Sequence, residues 1–150
     1  MSTDGTHTMN REQIEATIPH RAPMLLIDQV LEQTDDQIVC RKTFRAEEFF
    51  FQGHYPDYPL VPGVILCESS MQAGALLLAG IPGEGVPVAT RMNDVRFRKM
   101  VRPGDEVTIT VDLVERVSSA YFMKAKMMRG KDTVLRFEFA CTMAPPQTEN

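Results

Sequence analysis

From Gly63 to Gly80 the chain reads G-V-I-L-C-E-S-S-M-Q-A-G-A-L-L-L-A-G, apolar on every side and without a lysine or arginine. A helix that is hydrophobic all round has no face to give to water, so this one is expected to be buried. At about 1.5 Å per residue it spans roughly 27 Å, enough to run through a small domain. Glu68 and Gln72 interrupt it as a membrane span, and no membrane insertion is expected. Pro62 is predicted as the first helical residue, where its missing N–H would have had no intrahelical partner. Gly63 then lets a ligand approach the backbone closely.

The rest of the chain supplies what would cover such a helix. A short helix is predicted over Arg11–Thr17, and strands over Met24–Gln33 and Gln37–Phe44, turning at Asp35-Asp36. Further strands are predicted over Val86–Asn93, Val95–Phe97, Glu106–Arg116, Ala120–Arg129 and Thr133–Met143, with turns at Pro103-Gly104-Asp105, Ser118-Ser119 and Gly130-Lys131-Asp132. In Val107, Ile109, Val111 and Leu113 the apolar residues alternate with their neighbours, the period of a sheet with one buried face. The expected class is α+β, an antiparallel sheet wrapped around one long central apolar helix. With 150 residues and 43% hydrophobic content, a single domain over residues 11–143 suffices. Residues 1–10 are polar and expected to be disordered, with Met9 an alternative start, and 144–150 form a frayed tail. No stretch at the N-terminus resembles a signal peptide, so the cytoplasm is the expected location. Cys40, Cys67 and Cys141 lack paired metal spacing, which points to reduced, mostly buried thiols and no zinc site.

Ahead of the helix, Gly53-His54-Tyr55-Pro56-Asp57-Tyr58-Pro59-Leu60-Val61-Pro62 puts a histidine on a loop stiffened by three prolines. Each proline fixes φ near −65° and removes a backbone donor, so His54 sits on a rigid mount. On the helix, Glu68 is the lone ionisable carboxylate. Burial would raise its pKa and keep it protonated near neutral pH, able to donate to a departing oxygen. Gln72 lies one turn further on the same face and can orient it. His54, with an unperturbed imidazole pKa near 6.5, suits a general base. Read singly, a turn histidine or a structural glutamate accounts for either residue; together beside a Gly-opened helix they point to acid–base chemistry. An extended loop does not ensure that both face one point within one chain, so a partner subunit is a candidate supplier of one of them.

The run His54-Tyr55-Pro56-x-x-Pro59-Leu60-Val61-Pro62-Gly63-Val64, with Glu68 and Gln72, resembles the signature of the FabZ-type 3-hydroxyacyl-acyl-carrier-protein dehydratases. Pro19-His20-Arg21 with the strand to Asp28, Phe50-Phe51-Gln52-Gly53, Val95-Arg96-Phe97-Arg98 and Val101-Arg102-Pro103-Gly104-Asp105 resemble further stretches of that family in the same order, covering about residues 11 to 143. Several ordered motifs are more specific than one. The chain departs from the usual pattern at Asp57, Tyr55 and Ser69-Ser70-Met71, positions around the acyl tunnel, which leaves chain-length preference open. The resemblance implies a hot-dog fold, with His54 and Glu68 as the catalytic pair and no organic cofactor or metal. It also implies dehydration of (3R)-3-hydroxyacyl-acyl-carrier protein to the trans-2-enoyl product, in a homodimer or a trimer of dimers. Glu68, where a sister branch that also isomerises the double bond has Asp, points to the plain dehydratase.

The backbone N–H groups of Gly63 and Val64, at a helix N-terminus, are suitable donors to a thioester oxygen. Glu68 lies about 7.5 Å further along the axis, the reach from a bound carbonyl to a C3 hydroxyl. His20 and Arg21 are read as structural or entrance residues. Although the net charge is −4, Arg91, Arg96, Arg98, Lys99 and Arg102 stand against only Asp94 between residues 91 and 102. Such a patch suits an acidic partner such as acyl-carrier protein, and equally an ordinary solvated edge. The acidic balance and absent motifs argue against nucleic acid. Two other classes are weighed: a hot-dog thioesterase, whose carboxylate would activate water, and an acyl binder without turnover. Cys67 beside Glu68 would serve as a nucleophile only if exposed and acidified.

Overall fold

The computed structural model describes residues 7–81 and 85–145. Among the described residues two helices and six strands follow in the order α1 (Arg11–Thr17), β1 (Gln29–Gln33), β2 (Gln37–Thr43), α2 (Gly63–Ala79), β3 (Val86–Phe97), β4 (Glu106–Val117), β5 (Ala120–Arg129) and β6 (Asp132–Ala144). A single 3-10 turn, Phe49–Phe51, precedes the proline loop. The strands form one antiparallel sheet in the order β1-β2-β4-β5-β6-β3, and α2 packs against β2, β3, β4 and β5. Ile38, Cys40, Val107, Ile109, Val111, Met127, Leu135, Phe137 and Phe139 meet Leu66, Ala73, Leu76 and Leu77 of the helix in one core. The period-2 alternation on β2, β4, β5 and β6 is what brings those side chains to one face.

Chain entry into the fold begins earlier than residue 11. The Met9 and Val30 backbones bond in both directions at 3.1 and 2.9 Å, and Asn10 closes a capping box with Gln13 at the start of α1. Residues 1–6 and 146–150 lie outside the described ones, and Ala144 still belongs to β6.

The strand predicted from Met24 starts only at Gln29. Residues 24–26 are held instead by side chains of α2: Gln72 donates to the Met24 carbonyl and accepts from the Leu26 N–H, both at 2.7 Å, while the Ser69 hydroxyl donates to the Leu26 carbonyl at 2.8 Å. A backbone satisfied by a helix has no need of a neighbouring strand. Val86–Asn93 and Val95–Phe97 form one strand, β3, bent by an irregularity between Asn93 and Arg96 where Asp94 takes φ +54°.

Burial of α2 is not uniform, in contrast to the expectation of a fully buried helix. Val64 is 75% exposed, and Gly63, Ile65, Glu68 and Met71 are only partly covered. One sheet covers one side of a helix, and these positions follow a single stripe along the other side. Pro62 serves as the N-cap rather than the first helical residue, with ψ 138°, and its carbonyl accepts from Ile65 and Leu66. Gly63 is therefore the first helical residue, and its N–H has no partner within the helix.

Candidate active site

His54 is mounted by backbone geometry on both sides. Gly53 has φ +79° and Tyr55 φ +50°, two left-handed residues around the histidine, of which Tyr55 carries the steric cost of a side chain. The Tyr55 carbonyl accepts from Tyr58 at 2.8 Å, and Val61 returns to the Val101 carbonyl at 2.8 Å. Within this loop the His54 Nδ1 lies 3.1 Å from the Leu60 carbonyl. A carbonyl only accepts, so Nδ1 holds the proton, and in the neutral ring Nε2 carries the free lone pair.

The 3-10 turn ahead of the loop is tied down by a residue that sequence reasoning passed over. Lys42 is 2% exposed, and its ammonium lies 2.7 Å from Glu48, whose other oxygen accepts from the Arg45 N–H at 2.7 Å. Asp28 faces the same ammonium at 3.9 Å. The signal was present in β2, where Lys42 falls in phase with inward Ile38 and Cys40.

Glu68 projects from the uncovered stripe of α2 with its side chain 31% exposed, so this chain alone does not bury it as expected. Gln72 is 1% exposed and all its amide atoms are engaged, which fixes its orientation: Oε1 takes the Leu26 N–H, and Nε2 gives to Met24 and, at 2.9 Å, to Oε2 of Glu68. Oε2 is thus an acceptor, and a proton carried by Glu68 belongs on Oε1. The Nε2 of His20 stands 3.9 Å from the same Oε2. His20, Glu68, Gln72, Met71, Ala75 and Cys141 contribute to a cavity of about 90 Å³ between α2, β3 and β6. His54 and Glu68 share no hydrogen bond or ion pair among the described residues.

At Gly63 the neighbour that comes close is Phe97: a Cβ built there would lie 2.8 Å from its ring. Val64 beside it is open to solvent. The five basic residues are spread over several surfaces. Arg91 stacks on Phe122 with 5.6 Å to the ring centroid, Arg102 stacks over Tyr58 of the proline loop at 4.8 Å and donates to its hydroxyl, and Lys99 is exposed. Arg96 and Arg98 open onto a groove of about 520 Å³ on the outer face of the sheet, lined also by Lys124, Lys126 and Arg136. There Arg96, Arg136 and Lys126 stand directly opposite one another across β3, β6 and β5. Asp94, Asp112 and Glu138 also line this groove, which contains neither His54 nor Glu68.

Cys40, Cys67 and Cys141 are free and buried, and burial pushes their thiols up, Cys40 to about 12 and the other two to about 11. A thiol of that kind is a poor nucleophile at neutral pH.

Comparison with known proteins gives this arrangement a family. The 3-hydroxyacyl-acyl-carrier-protein dehydratase FabZ of Thermotoga neapolitana is 38% identical over 135 residues, which is 81% of this chain and 97% of that protein. The chain belongs to the FabZ-type dehydratase family. The FabZ dehydratase of Clostridium perfringens is 41% identical over 120 residues, 78% of this chain and 86% of its own. Residues 30–135 also match the ApeI-like family, described as ApeI dehydratase. As a FabZ-type protein the chain is an enzyme of the lyase class. Among solved structures, the dehydratase heterocomplex ApeI:P from Xenorhabdus doucetiae superposes with a TM-score of 0.76 at 16% identity, covering 87% of this chain and 90% of that one. The E. coli PaaI protein superposes with a TM-score of 0.63 at 17% identity, covering 75% and 80%. At such identities the likeness concerns the fold, which is of the hot-dog type.

Proposed function

We propose that the protein dehydrates a (3R)-3-hydroxyacyl thioester of acyl-carrier protein to the trans-2-enoyl thioester, in fatty-acid biosynthesis, with His54 and Glu68 as the acid–base pair. His54 Nε2 removes a proton from C2, the electron pair forms the C2–C3 double bond, and the C3 hydroxyl leaves as water with the proton from Glu68 Oε1. The Gly63 N–H, joined by that of Val64, holds the thioester oxygen as charge develops on it. The observation that carries this reading is the bond from His54 Nδ1 to the Leu60 carbonyl, which leaves Nε2 as a base in its neutral tautomer. FabZ-type relatives, named for dehydration of the hydroxyacyl carrier, support the substrate class.

The pair is read as crossing a homodimer boundary, alone or within a trimer of dimers. Edge strand β3 presents Val86, Val88, Met92 and Phe97 at 40% exposure or more, and the uncovered stripe of α2 adds Val64. A long edge with apolar side chains invites pairing with a second copy, which would also close over Glu68 and make α2 the central helix of the hot-dog arrangement. Arg102, beside Tyr58 on the His54 loop, is the basic residue best placed to meet an acidic carrier protein, with Arg98 and Lys99 before it and Arg91 and Arg96 further along β3. Buried reduced thiols suit the cytoplasm. The ApeI-like match favours one second reading, the same dehydration in a specialised acyl pathway.

Mass spectrometry of 3-hydroxyacyl-carrier protein incubated with the enzyme tests the reaction. Loss of one water supports dehydration; release of the free acid would make the protein a thioesterase, and an unchanged substrate a binder.

A further inference from the structure

We propose that His20 is a positioning residue for Glu68: it faces Oε2, the oxygen that Gln72 also holds, so that Oε1 is the oxygen presented to substrate. The inference rests on the acid role of Glu68 given above. Arg21 turns its guanidinium back onto the Ile18 and His20 carbonyls at 2.9 and 2.7 Å, and four residues on, the chain is clamped to α2 through Met24 and Leu26. His20 is thereby held over the same helix face that projects Glu68, with Nε2 at 3.9 Å from Oε2.

That separation is too long for a hydrogen bond, and catalytic hydrogen bonds tighten when substrate closes the site. His20 Nδ1 is buried and has no protein partner among the described residues. A histidine retained for packing would satisfy both nitrogens, since a buried unpaired polar atom carries a desolvation cost. A buried lone pair costs less than a buried orphan N–H, so the neutral ring keeps its proton on Nε2, the atom that faces Oε2. Gln72 donates to Oε2 at 2.9 Å, and when the site closes His20 Nε2–H becomes its second donor. A carboxyl whose Oε2 accepts from two N–H groups favours its proton on Oε1.

The ionisable groups around His20 are few. Glu68 faces it from α2, the Cys141 thiol lines the same cavity from β6, and Arg21 beside it is committed to carbonyls. The imidazole therefore reports chiefly to Glu68.

The test is steady-state kinetics of the full-length enzyme with 3-hydroxyacyl-carrier protein, on His20→Ala, His20→Gln and each combined with Glu68→Gln. We expect His20→Ala to lower kcat by about tenfold to a hundredfold, a fraction of what a general acid itself contributes, with KM changed less than about twofold. His20→Gln, which keeps an N–H donor, restores kcat to within about threefold of the parent enzyme. In the Glu68→Gln background, His20→Ala has no further effect, because the residue it positions is gone. A His20→Ala enzyme with unchanged kcat, or one whose loss lies in KM alone, overturns the inference while leaving Glu68 as the acid. A further loss in the Glu68→Gln background overturns it as well. Should Glu68→Gln alone keep the parent rate, the reading beneath both falls instead.

Discussion

Gln72 Nε2 donates to Glu68 Oε2 at 2.9 Å while its Oε1 takes the Leu26 N–H at 2.7 Å, so one amide joins the Glu68 carboxyl to the backbone that packs over it. Removing that amide acts on two levels. Gln72→Ala leaves the buried Leu26 N–H without a partner, at about 1–3 kcal/mol, and removes the donor to the part-buried Met24 carbonyl. Tm should fall by on the order of 5–10 °C, read by calorimetry. Activity of the remaining folded enzyme should fall further than the loss of folded protein accounts for, because Glu68 is freed to rotate.

His54→Ala and Glu68→Gln should each reduce kcat by at least about a hundredfold, the contribution expected of a general base or acid. Both lie in partly exposed places, so circular dichroism and Tm should stay near the parent values. Parent-like turnover in either variant would remove that residue from the chemistry.

Co-assembly of the two inactive variants examines the subunit boundary. If His54 and Glu68 meet across it, mixed dimers hold one intact site, and activity returns in proportion to the mixed fraction. Titrating one variant against the other after subunit exchange should give a bell-shaped curve; a flat line at zero would place both residues of each site in one chain.

Gly74 lies where α2 crosses the sheet, and a Cβ there would sit 2.8 Å from the Phe139 ring and 3.3 Å from the Met123 sulfur. Phe139 is 2% exposed and has nowhere to go. Gly74→Ala gains about 1 kcal/mol of helix propensity but overpacks the core at about 1–3 kcal/mol, so net destabilisation of about 1 kcal/mol is expected in urea denaturation.

The thiols set an alkaline limit. Burial raises Cys67 and Cys141 from 9.0 to about 11, and the unfolded chain ionises them first. Their contribution to stability is therefore complete below pH 9 and is lost as pH rises through about 11. The urea midpoint should drop over that window, and less so in Cys67→Ser and Cys141→Ser. At pH 7.5, iodoacetamide should label the native enzyme far more slowly than the unfolded chain.

Much of the architecture was legible because it is local. Composition marked α2, alternation marked β4, turn signals bounded β5 and β6, and proline spacing marked the stiff loop ahead of Gly63, since each follows from dihedral preference and from which side of an element is apolar. The errors fall where another segment overrides that preference or is missing: Met24–Leu26 reads as strand but is bonded by α2, and the stripe of α2 through Val64, Ile65, Glu68 and Met71 reads as buried but faces away from the sheet.

By itself, then, the sequence determined that an imidazole on a rigid loop precedes a carboxyl on an apolar helix, with a glutamine one turn later on the same face. Only the tertiary structure decided which atoms of these groups remain free. The Leu60 carbonyl selects Nε2 of His54, Gln72 and His20 surround Oε2 of Glu68, and Lys42 reaches Glu48 beneath the turn before the loop. Periodicity records which way a side chain points along its own element; what it meets there depends on how distant parts of the chain return.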